Sequence, residues 1–219
     1  KSHMHTQVTL GIKNMKGCLW HNEKVRLHQL EYRENKSYPE KTLDSAISDL
    51  ATMLLPDLTV VDGFTGMEGL GPSSGDAITS DFAVASFNSL AADKTALELM
   101  GFTLDEVIHL KLVRDRGIVS LDRISVEPAD FMKYAFTYKR SPEKLDIEFP
   151  NIVVHDDNSC SACLSTTLLF LKRFADELGD YVFPDGKLHL AIGKDVKDIP
   201  EGTILIGNCT HMHKDKGVF

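Results

Sequence analysis

The stretch Asn158-Ser-Cys-Ser-Ala-Cys163, answered much later by Gly207-Asn-Cys209, constrains this chain more than any other feature. Two thiols stand three residues apart at the mouth of a helix predicted over 161–178. A third follows Thr203-Ile-Leu-Ile206, an apolar run that reads as a buried strand. Ile152-Val-Val154 reads as a strand before the first pair, and Leu188-His-Leu-Ala-Ile192 as another between the two cysteine segments. In a parallel sheet, strands end at a common edge. Side by side, the two cysteine-bearing strands would bring Cys160, Cys163 and Cys209 to one rim. A helix start there adds positive potential, which favours thiolates. Four cysteines are too few to staple 219 residues. With no secretion signal in view, CxxC reads as a metal or redox motif in a reducing cytoplasm.

Soft sulfur ligands select iron–sulfur clusters or zinc. A four-iron cubane ([4Fe-4S]) takes four cysteines as a rule, and it is the preferred expectation here, with zinc as the alternative. The fourth ligand stays open among Cys18, His211, His213, a residue beyond Phe219, or none. A dithiol redox pair and plain structural cysteines are the competing readings.

Composition closes some options. A formal charge of −8 argues against nucleic acid or an anionic membrane surface as the main partner. No apolar run approaches the roughly 18 to 20 residues that cross a bilayer; the longest, 164–171, is far shorter. The expected partners are a small-molecule substrate or a redox protein, and a homo-oligomer is compatible with the sequence.

Leu43, Ala46, Ile47, Leu50, Ala51 and Leu54 recur at helical spacing, in a helix that begins at Pro39 and ends before Pro56. Val8 to Ile12 reads as a short strand, and 13–17 as a turn. Leu58 to Val61 reads as a buried strand leading into Asp62–Gly75, which holds five glycines in fourteen residues and is expected to be an irregular loop. Such a loop, Gly69 and Gly71 included, can bring N–H groups to a phosphate or carboxylate; it matches neither a Walker A nor a Rossmann fingerprint. Residues 78–87 read as a strand, 88–100 and 104–116 as helices closed by Gly101 and Gly117, and 124–127 as a short strand. A polar, proline-punctuated connector spans 137–150. The fold class expected is α/β, with a mixed or mostly parallel sheet flanked by helices in two lobes, 1–140 and 150–219. His3 and His5 alternate as on a strand and could share a metal, although solvated histidines are the commoner case. Lys1, Lys13 and Lys16 read first as a solvated basic patch, with anion binding as the alternative.

The motifs Lys1-Ser-His3, Thr9-Leu-Gly-Ile-Lys-Asn14, Val60-Val-Asp-Gly63, Met67-Glu-Gly-Leu-Gly-Pro72, and Ala91-Ala-Asp93 followed by Leu99-Met-Gly101 resemble the bacterial and archaeal family catalogued as domain of unknown function 362. The likeness covers roughly residues 1–130. It implies an α/β fold and, for some members, iron–sulfur modules, with a Gly-Cys-Pro-Pro segment beyond Phe219 supplying a fourth cysteine. It places the family's recurrent polar residues on Lys1, His3, Lys13, Asn14, Asp62, Glu68 and Asp93. The combined expectation is an iron–sulfur protein of redox metabolism, a candidate oxidoreductase, acting on a small anion. Lys13, Asp62 and Glu68 would be catalytic; His3, Asn14, Gly69, Gly71 and Asp93 would bind substrate; Cys160, Cys163 and Cys209 would hold metal. A structural zinc domain and a metal-independent enzyme that uses the Gly-rich loop are the alternatives.

Overall fold

In the computed structural model the described residues are 1–28, 42–141, 149–180 and 185–218. The chain divides into two compact units, Lys1–Glu143 and Lys144–Phe219.

The first unit opens with β1 (Ser2–His3) and β2 (Gln7–Val8), an antiparallel pair. A one-turn helix, α1 (Gly11–Asn14), follows and runs into a 3-10 turn, Met15–Cys18. The strand expected over 8–12 therefore stops at Val8, and the expected turn over 13–17 is helical. Next come α2 (Glu23–His28) and α3 (Thr42–Ala51). Pro39, the expected start of the latter, lies outside the described residues.

The Gly-rich segment is the main correction in this unit. It is not an irregular loop: β3 (Thr59–Glu68) continues through it and pairs antiparallel with β4 (Asp76–Ser86). Only the connection between the strands is a turn. The glycines inside β3 make room for aromatic rings. A Cβ on Gly63 would come within 2.5 Å of the Phe82 ring, and one on Gly66 would overlap the Tyr138 hydroxyl. That hydroxyl is held by the Ser80 side chain at 2.5 Å, and Ser80 in turn donates to the Gly63 carbonyl at 2.8 Å.

Helix α4 (Ser89–Leu99) starts where the Asn88 side chain accepts from the Ala91 N–H, and Gly101 follows it at φ +76°. The helix expected over 104–116 is split: a 3-10 turn, Leu104–Glu106, precedes α5 (Ile108–Asp115). Leu90 and Leu97 on α4 are fully buried with Ile47, Leu110 and Val113, each such side chain contributing roughly 2 kcal/mol by leaving water. Residues 124–127 form no strand. With Phe131 and Tyr134 they line a cavity of about 290 Å³ against β4 and α4.

The second unit is a parallel sheet in the order β5 (Ile152–Asp156), β6 (Leu188–Ile192), β7 (Thr203–Ile206) and β8 (Gly217–Val218). Every residue of β6 is buried, as a central parallel strand requires. Leu171 of α6 (Ser161–Phe174) packs with Leu188 and Leu190 on one face. Ala191 and Leu205 pack with Val196 and Ile199 on the other. Parallel and antiparallel sheets with helices make the protein mixed α/β.

Candidate functional site

Lys13 owes its position to a buried carboxylate. The first N–H groups of a helix have no partner within it. In α1 those of Gly11 and Ile12 donate to Asp93 Oδ1 and Oδ2 at 2.7 and 2.9 Å. Asp93 is 0 % exposed on α4. Burial pushes its pKa up to about 7, against the opposing pull of the two backbone hydrogen bonds. A Cβ on Gly11 would come within 2.4 Å of Thr59 Cγ2 and 2.9 Å of Asp93 Oδ1, so a side chain there would push both neighbours aside.

Docked in this way, α1 turns both Ile12 and Lys13 inward, and Lys13 is 1 % exposed. Its Nζ donates to Thr9 Oγ1 at 3.0 Å, and among the described residues it has no ion pair. Burial lowers its pKa to about 6; Lys16 pushes the same way and Asp44 opposes. The Asp44 carboxylate itself meets His109 Nδ1 at 3.2 Å.

His3 stands in the same field and is 4 % exposed. Its Nδ1 accepts from the His5 N–H at 3.2 Å, which leaves the ring proton on Nε2. Burial first, then Lys13 and Lys16, lowers its pKa to about 2. Lys16 Nζ lies 2.8 Å from His28 Nε2. Burial, Lys16 and Lys13 lower the His28 pKa to about 4, and burial lowers that of Lys16 too. The result is a nest of amines and neutral imidazoles. His3 and His5 do not share a strand, since β1 ends at His3.

The other expected residues of this unit are placed differently. Asn14 is exposed. Asp62 is exposed and accepts from the Phe64 N–H at 2.9 Å. Glu68 accepts from the Lys139 N–H at 2.8 Å and meets its Nζ at 3.3 Å. Gly69 exchanges hydrogen bonds with the Lys139 carbonyl and the Ser141 hydroxyl. The Gly71 carbonyl accepts from the Met4 N–H at 3.1 Å, against β1. The structure thus joins His3 with Lys13 and makes Asp93 the support of α1. It gives the two carboxylates of the hairpin other partners. The 290 Å³ cavity is lined by none of these expected residues. Sequence reasoning passed over His28, Asp44 and His109; isolated polar residues in helical stretches carry no signal of burial.

In the second unit the thiols follow the ends of parallel strands. Cys160 is the N-cap of α6 and Cys163 lies in its first turn. Cys209 sits in the 3-10 turn Asn208–His213 after β7. The two cysteine-bearing strands are not neighbours, because β6 lies between them, which separates them by roughly 9.5 Å. Gly207 narrows that gap. It takes φ +86°, and a Cβ there would come within 2.6 Å of Cys163 Sγ. The Cys163 pKa is raised, first by its hydrogen bond with Cys160, then by burial and by the charges of Cys160, Cys209 and Asp156. None of the four cysteines is in a disulfide. The donor set is soft and suits iron–sulfur or zinc, yet among the described residues no group of three or more His, Cys, Asp or Glu is arranged to hold a metal ion.

A chain of side chains that the sequence reading did not pick out crosses β5 and β6. His155 Nε2 lies 2.9 Å from His189 Nδ1, and His189 Nε2 lies 2.8 Å from Asp185 Oδ2. Its only signal in sequence is a histidine at an alternating position in each strand.

These features define a two-unit α/β protein with a buried lysine–histidine nest in one unit and a thiol-bearing sheet edge in the other. Residues 1–98 match the family model described as Domain of unknown function (DUF362), and that span contains Lys13, Lys16, His3, His28 and Asp93. The chain is also similar to the Thylakoid-associated protein sll1697 of Synechocystis sp., at 24% identity over 196 residues. That alignment takes in 89% of this chain and 54% of the relative, so the chain spans about half the length of the curated relative it matches. No solved structure matches the chain. No described helix is long and apolar enough to cross a membrane.

Proposed function

We propose that the first unit binds a small anionic substrate at the nest formed by Lys13, Lys16, His3 and His28. One observation carries this reading: Lys13 is 1 % exposed and has no carboxylate partner among the described residues. A buried amine of this kind costs free energy unless a ligand compensates it. An entering anion supplies the missing charge. It raises the pKa of Lys13, so binding takes up a proton above about pH 6. Isothermal calorimetry with malonate tests the proposal. Binding that weakens at least tenfold in Lys13→Met and in Lys16→Gln supports it. Equal binding by both variants, or none by the parent chain, refutes it.

A second reading concerns the thiols, and Gly207 favours it by leaving room for the Cys163 sulfur beside the cysteine-bearing turn. Cys160, Cys163 and Cys209 would be the ligands of an iron–sulfur cluster, or of zinc. The turn carrying Cys209 would have to shift for the three sulfurs to close on one centre. A cluster would supply electron transfer, making the protein an oxidoreductase of small anions; zinc would supply stability alone. Iron and sulfide in protein purified without oxygen, with broad absorbance near roughly 400 nm, would support the cluster. Stoichiometric zinc without iron would support the structural centre. Neither metal, in a chain whose thiols all react with a maleimide, would leave the cysteines as a dithiol pair.

A further inference from the structure

The nest offers more than charge. Among the described residues Lys13 Nζ has one hydrogen-bond partner, Thr9 Oγ1, and the side chain is buried. Lys16 stands beside it, paired with an imidazole rather than a carboxylate. The groups that act on Lys13 are Lys16 and Lys1, which disfavour its charge, and Asp44, which favours it but already meets His109. An amine held in apolar surroundings next to a second cation is a nucleophile at neutral pH. Thr9, Lys16 and His28, which interact with Lys13, are only half-buried.

We propose that Lys13 is an imine-forming lysine and that its ligand is a small carboxylate bearing a carbonyl next to the acid, the 2-oxo acid class. This rests on the anion-binding reading and names the substrate class of that site. Lys16 and the Nε2–H of His3 take the carboxylate with the carbonyl carbon toward Lys13, which attacks in its unprotonated form; a proton taken up on binding is available to the carbonyl oxygen. The Lys13 nitrogen lone pair forms the C–N bond as the carbonyl π pair moves to oxygen, which is then protonated. With one amine hydrogen passed on to replace that proton, the carbinolamine loses its hydroxyl together with the remaining amine hydrogen as water, leaving a C=N bond. No oxidant or reductant is consumed. Thr9 Oγ1, already bonded to Nζ, is placed to carry a proton in the exchange.

The test is reductive trapping. The full chain is incubated with glyoxylate or pyruvate and sodium cyanoborohydride at pH 7, then read by intact mass and peptide mapping. The expected result is one adduct, on Lys13, formed at least tenfold faster than on any other lysine. Lys13→Arg abolishes it and Lys16→Gln slows it severalfold, both variants keeping the parent circular dichroism. Adducts spread evenly over surface lysines overturn the proposal, as does trapping unchanged in Lys13→Arg. If Lys13→Arg does not fold, the parent chain alone decides, by the site of its adduct. Calorimetry with oxalate, which carries no ketone, separates the two claims. Oxalate binding without trapping of pyruvate or glyoxylate defeats the imine and keeps the anion site; failure of both defeats both.

Discussion

The two units handle reactive side chains in opposite ways. In the first, an amine is drawn into the core and stripped of water, with neutral imidazoles around it. In the second, thiols stand half-buried or exposed where parallel strands end. The first arrangement tunes reactivity by desolvation and depends on a rigid support. The second depends on sheet topology, which sets loops from different strands along one edge. The first therefore hangs on single buried contacts, while the second hangs on backbone geometry at a few turns.

The sharpest way to break this contrast is to remove the support of α1. Asp93→Ala orphans two N–H groups, each costing about 1 to 3 kcal/mol, and opens a cavity. A loss of roughly 3 to 5 kcal/mol in urea unfolding of the first unit is expected, together with loss of anion binding. A loss below about 1 kcal/mol would mean that α1 docks by other means. Next in size is Gly207→Ala. It forces a side chain into φ +86°, ψ 151°, against Cys163 Sγ, a backbone region that costs about 1 to 3 kcal/mol for other residues. The second unit should unfold at lower urea and Cys163 should react faster with maleimide, while malonate binding is unchanged.

Lys13→Met has the reverse sign. Replacing an uncompensated buried amine by an apolar side chain should stabilise the first unit by about 1 to 3 kcal/mol while abolishing anion binding. The pH dependence sharpens this. The folded pKa of Lys13 is about 6 and its ordinary value 10.5. Between them the unfolded state holds more protons, so the parent gains stability as pH rises, and the advantage of Lys13→Met is largest at or below about pH 6. Asp93 acts oppositely. Its folded pKa of about 7 exceeds the ordinary 3.8, so its contribution is lost as pH rises through that window. The smallest expected effect is the loss of this slope in Asp93→Asn, read from urea midpoints between pH 4 and 7.

The two regions also differ in how far the sequence discloses them. In the second unit, short apolar runs between loops marked β5, β6 and β7, and the helical spacing after Cys160 marked α6. The insertion of β6 between the cysteine-bearing strands is a long-range pairing that no local pattern encodes. In the first unit, glycine content suggested a loop where a hairpin stands, because the reason for Gly63 and Gly66 is the presence of Phe82 and Tyr138, distant in the sequence. Lys13 looked like one of a solvated group of lysines. Its burial is set by Asp93, 80 positions on (93 − 13), through backbone bonds that leave no mark on the pattern near Lys13. Family likeness pointed to Lys13 and His3 as residues, but only the fold gives the physical reason they lie together.

The central claim is that Lys13 is an uncharged amine at neutral pH. The most direct measurement is an NMR titration of its side chain, following the 13Cε and 15Nζ shifts and assigning them by their disappearance in Lys13→Arg. A midpoint near 6 that moves upward when malonate is added is the predicted result. A midpoint near 10, unaffected by malonate, would contradict the account.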